Sequence, residues 1–401
     1  MESNYIFDIT AYGAKADGAS DSTAAIKEAV NAAAAVHGTV FVPAGRYLCG
    51  KIKVPGAVVF EGTYTWNWSQ HQGFAGSILQ LCEKDAPCLL DLSDAAGTTV
   101  NGLSLDGAEL GTAAHGILLC HDAPQKAQDA LKIENCRIGF FTGDGVHLSN
   151  INNFSVRHSM LCFCGGYSLY VTGRDGYIID NWLSGSKWGG GLGLGGDACD
   201  MRITANRIED PIEDGTDINL YDPRENGPHI GCRNIVINNN YICGSKLSGI
   251  RGVAADGASL RDIQIVGNAF DSNGQWRKGS YESAHIRLEG CCRVQLCANV
   301  FFTKRGFWDP SAQINTDYAI CLCNMTDLLL TENAWNDSAE VQDLVFEGAG
   351  RGEIVIARNA GREICSKEGY MFPYWNSPQF PDAKVAQAAT VYSSSGTATV
   401  Y

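Results

Sequence analysis

The sequence predicts an all-β protein, a single-stranded right-handed parallel β-helix with an N-terminal capping helix, and three observations carry the prediction. Short segments of the form apolar-polar-Asn-x-apolar recur along the chain, glycine supplies 46 of the 401 residues at corner-like positions, and no helix pattern intervenes between the strands. Units of this size cannot bury an apolar face alone, so they must stack on one another as coils of a solenoid.

The repeat is legible as "IIDNWL" from 178, "ITANRI" from 203, "NNNYI" from 238, "IVGNAF" from 265, "LCANVF" from 296 and "LTENAW" from 330. Aligned, these segments place Asn181, Asn206, Asn240, Asn268, Asn299 and Asn333 at one position, with Cys136 of "ENCRI" and His158 of "VRHSM" holding it in earlier copies. The steps between them run from 22 to 34 residues, so a minimal coil near 22 is enlarged by insertions in the later copies. Coils stacked about 4.8 Å apart bring equivalent asparagines into a ladder of side-chain amides that satisfies the backbone of the turns. The expected role of these asparagines is structural.

At the start, "SDSTAAIKEAVNAAAA" has a cap-type residue followed by an alanine-rich interior and predicts a helix over about 20–36, ending before Gly38. An open β-helix end exposes unpaired strand edges and bare core, and this helix would cover it. The β-helix domain is expected over 1–365. The segment 366–401 loses the asparagine repeat, gains prolines and aromatics, and is expected to pack as an extended tail on the solenoid or on a neighbouring subunit.

Composition restricts the function. With 45% hydrophobic and 18% charged residues the chain can bury a large core, and a net charge of −14 opposes binding to nucleic acid or to an anionic membrane. A neutral or weakly charged substrate fits better. The start "MESNYIFDIT" lacks a basic segment followed by an apolar run, and no stretch reaches the roughly 18 apolar residues of a membrane span, so a soluble, cytoplasmic protein is expected. The 16 cysteines are then expected as reduced thiols in the core, and pairs such as Cys162 with Cys164, Cys291 with Cys292 and Cys321 with Cys323 do not form the two knuckles of a zinc site.

The stretch "DITAYGAKADGASDSTAAIKEAV" followed by "GTVFVPAGRYL" resembles the opening of the pectate-lyase-like superfamily of right-handed β-helices. "VNGLSLDG" from 100, "IENCRIGFFTGDGVHL" from 133 and the asparagine coils continue the resemblance over roughly residues 5 to 360. It implies the fold and leaves the reaction open, since the superfamily includes lyases, glycosidases, epimerases, fructotransferases and phage tailspikes.

The first oversized coil, between Asn206 and Asn240, contains "RIEDPIEDGTDINLYDPRENG", with carboxylates at Glu209, Asp210, Glu213, Asp214, Asp217, Asp222 and Glu225. Insertions on a rigid solenoid build its cleft, and acids sharing a concave site cannot all ionise at their ordinary pKa. Glycosidic cleavage needs one carboxyl as acid and a second as nucleophile or base. Asp214, entering the strand-like "TDINLY", and Glu225, on the return, are the preferred pair, with Asp217 and Asp222 as substitutes. The order of coils around "DNWLSGS" and "ITANRIEDPIEDG" is similar to the inulin fructotransferase family, which implies Asp214 and Glu225 as the working Asp and Glu, a small oligosaccharide substrate and a homo-oligomer, possibly a trimer.

Two alternatives remain. "YDPRE" from 221 is similar to an element of alginate epimerases, which implies Tyr221, Asp222, Arg224 and His229 in uronate proton transfer. A polysaccharide lyase would use Ca²⁺ with Arg224, Lys246 or Arg251 as the base. The alternative to an enzyme is a non-catalytic sugar-binding or tailspike-like solenoid. For substrate binding, sugar C–H faces pack on flat rings, which nominates Trp182, Trp188, Trp276 and Trp308, with Arg224, His229, Arg251, His285 and Glu289 as polar partners. His285 and Glu289 share one face of a strand. The run Gly189 to Gly196 lacks a phosphate-loop ending and reads as a backbone bend. The preferred reading needs no cofactor and no metal.

Overall fold

The computed structural model describes residues 5–64, 75–213, 215–222, 231–253, 258–303, 316–336, 338–361, 390–392 and 398–400. The chain divides into two compact units, Met1–Gly189 and Gly190–Tyr401, and each is a stack of right-handed parallel β-helix coils with three short strands per coil. In the second unit Arg233–Asn238, Tyr241–Cys243 and Ile250–Val253 pair in parallel with Leu260–Val266, Ala269–Asp271 and Ala284–Glu289 of the next coil. In the first, Thr99–Asn101, Leu103–Asp106 and His115–Cys120 pair in the same way with Leu131–Glu134, Arg137–Gly139 and Val146–Arg157.

Alternation along each strand turns every second side chain inward, and parallel in-register pairing places like on like. Ile203, Ile237, Ile265, Leu296, Leu330 and Ile356 form one such interior stack, and Ile208, Ile242, Phe270, Phe301 and Trp335 another. All are buried, and each contributes about 1.5–3 kcal/mol relative to an exposed side chain. In the first unit Tyr47, Leu79, Leu105, Ile138, Leu161 and Leu183 stack equivalently.

The asparagine ladder is present and longer than the sequence suggested. Asn206 N donates to Asn240 Oδ1 at 2.9 Å, Asn240 N to Asn268 Oδ1 at 2.9 Å, Asn268 N to Asn299 Oδ1 at 3.0 Å and Asn299 N to Asn333 Oδ1 at 3.0 Å. Asn333 N continues to Asn359 Oδ1 at 3.0 Å, a rung the repeat search passed over in "IARNAG". Each Nδ2 also donates to a strand carbonyl of the preceding coil, as Asn268 does to Ile237 O at 3.0 Å. In the first unit the position is held by Cys136, Ser159 and Asn181: Cys136 N donates to Ser159 Oγ at 3.1 Å and Ser159 N to Asn181 Oδ1 at 3.1 Å. The assignment of His158 to this position is therefore corrected by one residue. The reason is the bend: the residue before each rung has positive φ, at Asn135, His158, Asp180, Ala205, Asn239, Gly267, Ala298, Glu332 and Arg358. The left-handed turn costs a non-glycine residue about 1–2 kcal/mol, which the amide bonds of the next residue offset.

The helix begins later than expected, spanning Thr23–Ala34. Asp17–Asp21 is instead a strand paired with Gly45–Cys49, and Asp21 Oδ1 accepts from Thr23 N at 2.9 Å to start the helix. Ile26, Ala29, Val30 and Ala33, at the 3–4 residue spacing of one helical face, are fully buried. That face contacts the strands Ile6–Asp8, Thr39–Val42 and Ile52–Lys53, as a cap requires.

The glycine run is also corrected. Gly190–Gly195 is a fully buried strand, paired with Thr216–Asp222, and not a bend. A Cβ at Gly190, where φ is 93°, would stand 2.0 Å from Thr216 O, so only a bare backbone lets the two strands meet. In the tail, the backbone of Thr390–Tyr392 pairs antiparallel with Arg351–Ala357 and with Ala398–Val400. Among the described residues the cysteines are free thiols, most of them buried, and no helix is long and apolar enough to cross a membrane.

Candidate active site

The acidic coil occupies the turn that follows Arg207–Glu209 and the strand Thr216–Asp222. Asp214, Glu225, Arg224, His229 and Trp308 lie outside the described residues. Asp217 and Asp222 are described: Asp222 ends its strand half-buried, while Asp217 is 0% exposed. Neither carboxyl oxygen of Asp217 has a hydrogen-bond partner among the described residues. Burial, with the charges of Asp210 and Glu209 added, drives its pKa well above the ordinary value against the opposing pull of Lys246. Asp210 shifts the same way, through desolvation and then Glu209. Two of the seven acids thus depart upward, through desolvation first and neighbouring carboxylates second.

Lys246 is the cation of this cluster. Its Nζ donates to Gln275 Oε1 at 2.7 Å and to Gly244 O at 3.4 Å, and lies 6.0 Å from the Trp276 ring centroid. Burial lowers its pKa, while Asp210 and Asp217 act to raise it. Trp276 itself is 53% exposed. On the adjoining strands Arg207 Nε donates to Glu209 Oε2 at 2.6 Å, and Tyr241 Oη to Asp271 Oδ2 at 2.6 Å.

A second set of charges lines the outward rows of the same unit. Asn219, Arg251, Arg287, Cys321 and Val345 stand in register, as do Val253, Glu289, Cys323 and Glu347. Glu282 joins the two arginines: it accepts from Arg251 Nε at 3.1 Å and from Arg287 Nη1. Arg287 Nη2 also donates to Glu289 Oε2 at 3.3 Å, and Tyr281 Oη donates to Glu347. Ala284, Cys321 and Val345 make a small apolar cluster under Tyr281 and Tyr318. Arg251 and Glu289, nominated from the sequence, join this network, and the sequence reading missed Glu282 and Arg287. Aligning "SGIRG" with "AHIRLEG" would have put the two arginines in register, but nothing in spacing signals Glu282, which comes from the inserted turn.

His285 is not a surface residue, contrary to expectation. It is 0% exposed, with Nδ1 3.1 Å from Asn273 Nδ2 and Nε2 3.0 Å from Ser338 O, and its ring lies among Phe270 and Phe301. Alternation fails at the corner where the strand begins: Ala284, His285 and Ile286 are all enclosed before the pattern resumes at Arg287. Burial lowers its pKa to about 4, so the ring is neutral. Trp182 and Trp188 belong to the first unit, half-buried and 70% exposed respectively.

The first unit carries a cluster that the sequence reading missed. His115 opens one strand, Asp144 sits in the turn before the next, and His147 follows three residues later. His147 Nδ1 lies 2.8 Å from Asp144 Oδ2, Asp144 N donates to His115 Nδ1 at 2.9 Å, and the two rings are 4.5 Å apart. The signal was "AAHGILL" against "GDGVHLS", two coil starts that each place a histidine beside the turn.

The family model Pect-lyase_RHGA_epim, rhamnogalacturonase A/epimerase, pectate lyase-like, matches residues 6–67. No curated protein sequence matches the chain. Among solved structures, the A-module of mannuronan C-5 epimerase AlgE6 from Azotobacter vinelandii is similar at TM-score 0.55 and 16% identity, over 88% of this chain and 97% of that one. DFA-IIIase from Arthrobacter chlorophenolicus A6, solved in complex with GF2, follows at 0.52 and 14%, over 89% and 94%. ORF18 of Geobacillus virus E2 is similar at 0.54 and 11%, over 90% and 62%. The coil architecture and these likenesses show a right-handed parallel β-helix, and residues 6–67 match the pectate lyase-like family model.

Proposed function

We propose that this protein is a carbohydrate-active enzyme that cleaves a glycosidic bond in a neutral or weakly charged oligosaccharide, using the acidic coil 209–225. Asp214 and Glu225 serve as the acid/base or nucleophile pair. The observation that carries the reading is the charge balance of the second unit. Its outward arginines, Arg251 and Arg287, are already matched by Glu282 and Glu289, so they offer hydroxyl-binding donors and acceptors and no net positive charge for a polyuronate. In the same unit, burial and neighbouring carboxylates shift Asp210 and Asp217 upward, the direction a general acid needs. Trp276 supplies an apolar ring beside Lys246. The similar DFA-IIIase structure was solved in complex with GF2, which supports a small ligand.

The chemistry follows from these parts. One carboxyl protonates the leaving oxygen, the other attacks the anomeric carbon or activates the attacking hydroxyl, and the attacking group is water in a hydrolase or a hydroxyl of the same sugar in a transferase. The Arg–Glu network orients ring hydroxyls. Asp214→Asn should lower turnover by about 10³-fold or more with an unchanged unfolding temperature; undiminished turnover in that variant removes the assignment.

One observation favours a second reading. Lys246, half-buried and shifted downward, is the kind of base that removes a proton beside a uronate carboxylate, and the similar mannuronan C-5 epimerase module acts by name on such a polymer. Release of an unsaturated uronate, or epimerisation without cleavage, would select it.

A further inference from the structure

We propose that His115, Asp144 and His147 form a binding site for a divalent transition-metal cation of the zinc class, clamping two adjacent coils of the first unit. The three side chains come from one rigid neighbourhood, and their candidate ligand atoms all lie within 4.8 Å of one another. Two imidazoles and a carboxylate are a donor set that such cations prefer over Ca²⁺ or Mg²⁺, which take oxygen.

The separations suit a shared ion. Donor atoms each about 2.0–2.1 Å from a tetrahedral centre stand roughly 3.3 Å apart. Asp144 Oδ2 is 2.8 Å from His147 Nδ1 and 3.7 Å from His115 Nδ1, values that bracket that separation. The carboxylate is pre-positioned, because Tyr167 N donates to Asp144 Oδ1 at 2.6 Å and leaves Oδ2 turned to the imidazoles. The His147 ring is held by stacking on Tyr170, with centroids 5.1 Å apart.

The backbone makes room for the cluster. A Cβ at Gly166 would stand 2.1 Å from Asp144 Oδ1, and one at Gly143 would stand 2.8 Å from His115 Nδ1, so neither position accepts a side chain without displacing a ligand. Asp144 is buried and the two histidines half-buried, which strengthens attraction for a cation relative to an exposed site. In the metal-free arrangement a proton bridges His147 Nδ1 and Asp144 Oδ2, and the Asp144 amide occupies His115 Nδ1. A bound cation displaces that proton and exchanges for that amide.

The test uses tag-free, full-length protein, dialysed against chelator and titrated with zinc chloride by calorimetry. One zinc per chain is expected, with a rise in unfolding temperature because the ion binds only the folded coils. His115→Gln with His147→Gln should weaken zinc binding by about 100-fold or more while the metal-free circular dichroism stays unchanged. Binding undiminished in the double variant, or none in the parent, overturns the proposal. If the double variant misfolds, the cobalt spectrum of the parent decides: nitrogen-ligated bands support the site, and the spectrum of free aqueous cobalt overturns it. The readout is metal binding and not turnover, so its failure leaves the glycan reading untouched.

Discussion

Two buried polar rows of the second unit behave in opposite ways. In the asparagine ladder each internal rung meets the next through its backbone N–H, its Oδ1 and its Nδ2. At the corner that opens the third strand of each coil, Asp217 is enclosed with no partner among the described residues, and two coils further on His285 is enclosed but hydrogen-bonded. The ladder spends polar groups on holding the bends, and its cost is met locally. The carboxyl of Asp217 lacks such partners, and buried acids with raised pKa values cluster at functional sites.

The ladder sets the largest expected effect on stability. Asn268→Ala removes the acceptor of Asn240 N and of Asn240 Nδ2, and leaves Ile237 O without its amide. A loss of about 2–4 kcal/mol is expected in denaturant unfolding; a loss below about 1 kcal/mol would mean that water replaces the rung. Asn359→Ala, at the last rung, should cost less.

The corner residues set opposite pH slopes. His285 is held neutral with a pKa of about 4 against an ordinary 6.5. The stability tied to that neutrality is present above pH 6.5 and lost as pH falls toward 4, as the unfolded chain takes a proton that the folded one refuses. Asp217 has the reverse sign. Its pKa is raised well above 3.8, so its contribution is whole below pH 3.8 and is lost as pH rises through the raised value. His285→Gln should flatten the acid arm of the unfolding-temperature profile, and Asp217→Asn the alkaline arm, with Asp217→Asn more stable than the parent by about 1 kcal/mol or more at pH 8. Parallel profiles for parent and Asp217→Asn would show that the carboxyl is solvated after all.

The smallest stability effect belongs to the outward charges. Arg287→Ala should change unfolding by under about 1 kcal/mol, because its partners stay partly in water. In the same variant KM for an accepted oligosaccharide should rise severalfold with little change in kcat. A collapse of kcat alone would place Arg287 at the reacting atoms.

The fold was legible because its signal repeats. Asn206, Asn240, Asn268, Asn299 and Asn333 recur in one local context, and strand alternation around them places the core without knowledge of distant contacts. The one-residue error at His158 arose because Ser159 replaces the amide with a hydroxyl, which fills the rung but breaks the letter pattern. Regular alternation made the outward placement of Arg251 and Glu289 legible. His285 fails at a corner, where two consecutive residues turn inward, and the His115–Asp144–His147 cluster was hidden because its members are remote in sequence and join only when coils stack. The glycine run misled for a related reason: a strand pressed against its neighbour needs the same residue as a bend.

The central claim is that the acidic coil breaks a glycosidic bond in a neutral oligosaccharide, and one measurement addresses it directly. The full chain and Asp214→Asn are incubated with a panel of neutral and uronate oligosaccharides, and the products are separated and weighed by mass spectrometry. The account predicts a new reducing end or an internally bonded product from a neutral sugar, absent with Asp214→Asn. An unsaturated or epimerised uronate as the product, or equal cleavage by Asp214→Asn, would contradict it.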